Sequence, residues 1–219
     1  WKLHSAQDYF MFFAYILAGV LVFWLIAKHM NKQRNHEKAV EKVSGRLKKI
    51  CGKPGEVLKN ATLNLPEGKM TFDVVLMDKR GVYLVRTYGW GIKIYGTPDG
   101  AMWRREDAKR KEEFENPLLE LKKGAAEITK VMEENGVQSL KVMPMVVFAD
   151  NFQTPELYLG YGSFSTTYQE LKSWYKKQSG VKEVQYDYDK VSSIIKELAK
   201  IRKRKMKKTG SSGMELPVF

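Results

Sequence analysis

A run of nineteen uncharged residues, Tyr9 to Ala27 (YFMFFAYILAGVLVFWLIA), constrains this chain more than any other stretch. At about 1.5 Å per residue it makes roughly 28 Å of helix, close to the ~30 Å hydrocarbon core of a bilayer. Trp1, Tyr9 and Trp24 lie near its ends, where aromatic rings settle at the membrane interfaces. A cleaved signal sequence would carry a basic leader, a shorter apolar core and a small-residue cleavage site. Here Lys28-His29-Met30-Asn31 follows the run instead, so the expectation is one transmembrane helix over about 9–27. Lys2 and Asp8 precede it, whereas Lys28, Lys32, Arg34 and Lys38 follow. Positive residues concentrate on the cytoplasmic side, which puts the N-terminus outside the cell membrane and the remainder in the cytoplasm. The single cysteine, Cys51, excludes an internal disulfide and suits a reducing compartment.

The formal net charge is +13, and its placement matters more than its size. Lys28 to Lys49 holds eight Lys/Arg against two Glu, and Lys200 to Lys208 holds seven Lys/Arg against no acid. These two segments carry the whole excess, so the remainder of the chain is formally neutral. That argues against a domain built as a broad electropositive platform for nucleic acid. The tail (Lys200, Arg202, Lys203, Arg204, Lys205, Lys207 and Lys208) is expected on an anionic membrane surface, where each cation gains about 1 kcal/mol. Nucleic acid is the second reading of the tail, and a solvated helix end the third.

Between these segments the pattern is that of an α/β domain. Val40, Val43, Leu47 and Ile50 recur at helical spacing within a polar segment, predicting a juxtamembrane helix over 31–50 that docks on the domain. Pro54-Gly55 breaks it, and Glu56 to Leu63 reads as a first strand. From Met70 to Gly96, apolar and β-branched runs joined by a turn at Asp78-Lys79-Arg80-Gly81 read as two strands, with a third from Ile92. Ala101 to Trp103 is a short strand, and the densely charged Arg104 to Glu115 is expected as a solvated loop or frayed helix. Asn116-Pro117 opens a helix, since Asn caps well and Pro at the first position loses no needed N–H. Its stripe is Leu118, Leu121, Ala125, Ile128, Val131 and Met132, and Asn135-Gly136 ends it. Lys141 to Ala149 is a strand toward the far side of the sheet, Thr166 to Gln178 a helix, and Lys182 to Tyr188 an edge strand or extended connection. Val191, Ile194, Ile195, Leu198 and Ile201 mark a final amphipathic helix. The expected organisation is an N-terminal anchor (1–30), a basic helix (31–50), the α/β domain (51–180), a C-terminal helix with its basic tail (181–208) and a flexible end (209–219).

Within Met70 to Gly96 one acid, Asp73, lies inside an apolar run, where a carboxylate is costly without a partner. Leu84, Arg86 and Tyr88 share one face of the next strand by its period of two. Gly81-Val82-Tyr83-Leu84-Val85, then Tyr95-Gly96, Trp103, Asn116-Pro117-Leu118 and Val146-Val147-Phe148, resemble in order and spacing the nuclease-related domain family, NERD. The resemblance runs roughly from Val43 to Tyr175. It implies a restriction-endonuclease-like core, a central mixed sheet flanked by helices, and an ancestry of Mg²⁺-dependent cleavage of nucleic acid. Many members are membrane-attached bacterial proteins.

Such a site holds Mg²⁺ through carboxylates on two adjacent strands, the metal activates a water, and a Lys assists. In the family's pattern Asp73 matches the first acid, but Arg86 stands at the Glu position and Tyr88 at the Lys position. The Glu that follows a Gly in the leading helix corresponds to Arg46 after Gly45, and a usual Gln to Glu120. A guanidinium in place of a ligand carboxylate cannot shed its proton to admit a metal. The expectation is a degenerate set in which Arg86 neutralises Asp73, with no metal site and no cofactor.

The function implied is a membrane-tethered binding or scaffold module, an accessory subunit with a protein partner in a membrane complex. Two alternatives stay open. One is a Mg²⁺-dependent nuclease with relocated groups, Lys93 replacing the Lys and Glu56, Glu67 or Asp78 a carboxylate. The other is a nucleic-acid-binding protein that does not cleave. His4, His29 and His36 lie outside the predicted domain, which disfavours His-based or zinc chemistry.

Overall fold

The apolar run forms part of one continuous helix, α1 (Ala6–Gln33). Among the described residues it is the one helix long and apolar enough to cross a membrane, and none of its apolar window is covered by the rest of the chain. The structure, a computed structural model, describes residues 6–33, 35–107, 110–150, 153–177 and 186–209.

Helix α2 (His36–Cys51) starts afresh at Asn35, whose side chain accepts the Glu37 N–H, so the basic segment is divided between two helices. Among the described residues nine strands follow or alternate with three more helices: β1 (Glu56–Leu65), β2 (Gly68–Asp78), β3 (Gly81–Tyr88), β4 (Lys93–Gly96), β5 (Met102–Glu106), β6 (Lys111–Glu115), α3 (Pro117–Glu134), β7 (Val142–Phe148), β8 (Glu156–Leu159), β9 (Ser165–Thr167), α4 (Leu171–Lys177) and α5 (Tyr188–Thr209). They build two mixed sheets. The first runs in the order β1-β2-β3-β7-β9, with β7 parallel to both its neighbours and the other pairs antiparallel. The second runs β6-β5-β4-β8, with β8 parallel to β4.

The first sheet is covered on both faces. Ala39, Val40, Val43 and Leu47 of α2 and Leu171 and Tyr175 of α4 pack on one face, against Val74, Leu76, Tyr83, Val85 and Val147. Leu118, Leu121, Ile128 and Met132 of α3, Val191 and Ile195 of α5, and Ile94 and Trp103 of the second sheet pack on the other. Burial on both faces explains why β2 and β3 read as continuous apolar runs. Two glycines permit close approaches. At Gly81 (φ 145°) a Cβ would overlap the Lys141 carbonyl, and at Gly124 it would lie 2.7 Å from the Phe72 ring.

Two expectations change, and a third, over Lys182–Tyr188, falls largely on residues outside the described ones. Arg104 to Glu115 is not a loop or a helix, because most of it forms the antiparallel pair β5–β6. Opposite charges face each other across it: Arg105 pairs with Glu112 and Lys111 with Glu106, while Trp103 opposes Phe114. The segment from Thr166 splits into β9 and the short helix α4, since Thr166 and Thr167 pair with Val147 and Phe148. Of the edge strand expected over Lys182–Tyr188, residues 182–185 lie outside the described ones and Tyr188 begins α5.

Candidate functional site

The β2–β3 ladder ends at Val74↔Val85, and Asp73 stands just past that end. Its buried carboxylate takes over where the ladder stops: Oδ2 accepts the Thr87 backbone N–H at 2.6 Å. Oδ1 lies 3.4 Å from Arg86 Nη1 and 3.4 Å from His36 Nε2. The second arm of the same guanidinium, Nη2, donates to Glu120 Oε2 at 2.5 Å. Asn116 holds α3 in position for this contact, accepting the Leu118 N–H and donating to the Gly100 carbonyl at 2.7 Å. Arg86 thus bridges an acid of β2 and an acid of α3, with the α2 N-terminus closing one side.

Tyr88, two residues along the same strand face, belongs to a ring cluster. It stacks on Phe148 with centroids 5.4 Å apart and lies 4.8 Å from Trp90 and 5.5 Å from Phe114. Burial there pushes its hydroxyl up to about 12.

The remaining candidates lie elsewhere. Lys93 belongs to the second sheet, 4.0 Å from Glu156. Glu56 opposes Met77, four residues along β2 from Asp73, or about 13 Å at the usual strand rise. It pairs with Lys196 at 2.7 Å and Ser192 at 3.0 Å. Burial opposes its charge, but these two partners outweigh burial and hold its carboxyl below the usual range. Glu67 pairs with Lys123, and Asp78 accepts the Arg80 N–H in the β2–β3 turn. Arg46 donates to the Gln169 carbonyl at 3.2 Å, away from Asp73. For the basic tail from Lys200 to Lys208 the backbone is helical, and its side chains lie outside what is described.

The sequence model of one known family, the nuclease-related domain, matches residues 32–149, more than half of the chain. The chain belongs to the nuclease-related domain family. No curated protein and no solved structure matches it.

A NERD site able to work with Mg²⁺ would need oxygen ligands gathered around the ion at about 2.0–2.1 Å. Here the guanidinium occupies the space between the two nearest carboxylates, Asp73 and Glu120. Among the described residues no three His, Cys, Asp or Glu side chains converge to hold a metal. As arranged, this donor set does not fit the ion.

Two members of the constellation were not singled out as site residues from the sequence. His36 was set aside as lying before the domain, although it sits four residues before Val40 and so shares the docking stripe of α2. Glu120 was noted only as a departure, and its place in the first turn of α3 faces it to β3.

Proposed function

We propose that this NERD protein is a single-pass membrane protein, N-terminus outside, whose cytoplasmic domain has lost metal-dependent cleavage. It acts as a binding or accessory subunit for a protein partner in a membrane complex. The observation that carries this reading is the Arg86 guanidinium lying between the Asp73 and Glu120 carboxylates. A permanent cation at that point excludes a divalent one and satisfies the buried acid. The uncovered apolar surface of α1, with Phe10, Leu17 and Phe23 each more than 70% exposed, supports the anchor. The basic tail belongs to the same proposal, as a strip of positive charge held at an anionic leaflet.

The test uses the full chain in mild detergent with Mg²⁺ or Mn²⁺ and labelled DNA and RNA. The expected result is no cleavage beyond that of the Asp73→Ala variant, together with a specific protein partner recovered from solubilised membranes. Metal-dependent cleavage that Asp73→Ala abolishes would overturn the loss of catalysis.

A further inference from the structure

Away from Asp73, α2, α4 and the β2–β3 turn enclose a cleft of about 700 Å³. The turn lies five residues along β2 from Asp73, or about 16 Å at the usual rise. Lys42, Arg46 and Lys49 line the cleft from α2, Lys172 and Lys176 from α4, and Arg80 from the turn. Glu41 is the one acid among the described lining residues. Cations facing one volume repel each other, and of those lining the cleft Lys49 and Lys172 have no acid partner among the described residues.

Two of the cations are held in fixed positions. Arg46 donates to the Gln169 carbonyl at 3.2 Å and lies 4.6 Å over the Tyr168 ring. Arg80 donates to the Tyr175 carbonyl at 3.0 Å and lies 4.3 Å over the Tyr175 ring. Buried Asp78 secures that wall by accepting both the Arg80 N–H and the Tyr175 hydroxyl. A guanidinium lies over each ring, so the face it covers is closed to a stacked base and carries positive charge instead.

Gly45 adds an independent observation. It sits inside α2, lines the cleft, and a Cβ there would meet nothing within 4 Å. Glycine in a helix interior is less stable than alanine, and no packing demand in the fold requires it here. The bare backbone there leaves room for a ligand to approach closely.

We infer that this cleft binds a compact molecule bearing two or more phosphates. The volume matches that of small-molecule sites, and guanidiniums held in place beside lysine ammonium groups suit phosphate oxygens. The phosphates belong either to a free polyphosphate or to a diphosphate lipid headgroup, and the helix forming one wall directly follows the apolar helix α1.

The experiment takes the full chain in phosphatidylcholine nanodiscs and titrates inorganic tripolyphosphate and ATP, without metal, by calorimetry. A second set of nanodiscs carries cardiolipin. Saturable binding is expected, weakened at least tenfold by Lys49→Glu/Lys172→Glu and by Gly45→Leu, which sets a branched side chain on the cleft wall at a position where a Cβ meets nothing within 4 Å. Gly45→Leu should melt no lower than the parent, which separates lost binding from lost folding. Lys69→Glu/Lys190→Glu changes the net charge equally at exposed positions elsewhere and should leave affinity unchanged. Competition of cardiolipin with tripolyphosphate assigns the lipid source, and undiminished tripolyphosphate binding assigns the free one. No binding at millimolar tripolyphosphate, equal weakening by the Lys69/Lys190 pair, or full binding by Gly45→Leu would each overturn the inference.

Discussion

Arg86→Met is the most direct probe of the bridge between β2 and α3. Methionine keeps an unbranched stem and removes the guanidinium, leaving the Asp73 carboxylate, 5% exposed, without its cationic partner. Breaking a buried ion pair in this way costs about 3–5 kcal/mol. Asp73 retains the Thr87 N–H at 2.6 Å and His36 at 3.4 Å, and Arg86 itself is 20% exposed. These reduce the expected loss to about 2–3 kcal/mol. For a domain of this size 1 kcal/mol is about 2–4 °C, so the Tm should fall by roughly 5–10 °C. Glu120→Gln is the matched control: the lost carboxylate is 49% exposed, solvent takes its place, and the cost stays below about 1 kcal/mol. Adding Asp73→Asn to Arg86→Met removes the stranded charge and should return at least about 1 kcal/mol. Thermal unfolding of the full chain in detergent, followed through Trp90, Trp103 and Trp174, measures all four proteins. An Arg86→Met variant that melts no lower than Glu120→Gln would refute the claim that Arg86 compensates the burial of Asp73.

Two helix-interior glycines should respond with opposite signs. Gly45→Ala meets nothing and should raise stability by about 0.5–1 kcal/mol, whereas Gly124→Ala places a methyl 2.7 Å from Phe72 and should lower it by about 1–2 kcal/mol, both read from Tm. Burial pushes the hydroxyl of Tyr88 up to about 12 and raises those of Tyr83 and Tyr175 as well. The folded state therefore holds these protons more tightly than the unfolded one, so their stabilisation is complete below pH 10 and lost as the pH climbs from about 10 to 12. Each contributes a slope of about 1.4 kcal/mol per pH unit, and Tyr88→Phe should shallow the Tm–pH curve measured from pH 8 to 12. Arg86→Glu sets a third carboxylate between Asp73 and Glu120. Its Tm should drop without metal and recover in part with millimolar Mn²⁺, a response the parent should lack.

What the sequence disclosed of the fold follows how local the determining interactions are. Helix α3 was legible because its cap, first-turn proline, apolar stripe and terminal Asn-Gly all lie within one segment. Strands β2 and β3 were legible because both faces are buried and their turn is tight. The second sheet was not, since β4 pairs in parallel with β8, far away in the chain, and nothing in Lys93–Gly96 names that partner. The charges of β5 and β6 read as solvated loop because each strand is polar alone; only their registration, Arg105 against Glu112, gives the charges partners.

The constellation around Asp73 was half legible for the same reason. Asp73 and Arg86 lie on adjacent strands thirteen positions apart, and the family resemblance, with the cost of a buried carboxylate, suggested that they meet. Glu120 and His36 come from helices, and only the docking of α3 and α2 on opposite faces brings them there. Arg86 and Tyr88 consequently differ in kind. Arg86 is an electrostatic change among side chains that would otherwise be three acids and a histidine, and one substitution changes its sign. Tyr88 is built into the packing: its ring lies against Phe148, Trp90 and Phe114, so an ammonium at that position would have to displace an apolar cluster. A carboxylate at position 86 can therefore give affinity for a cation without placing an ammonium beside it at position 88. Metal-dependent melting without metal-dependent cleavage is the outcome that this asymmetry demands of Arg86→Glu.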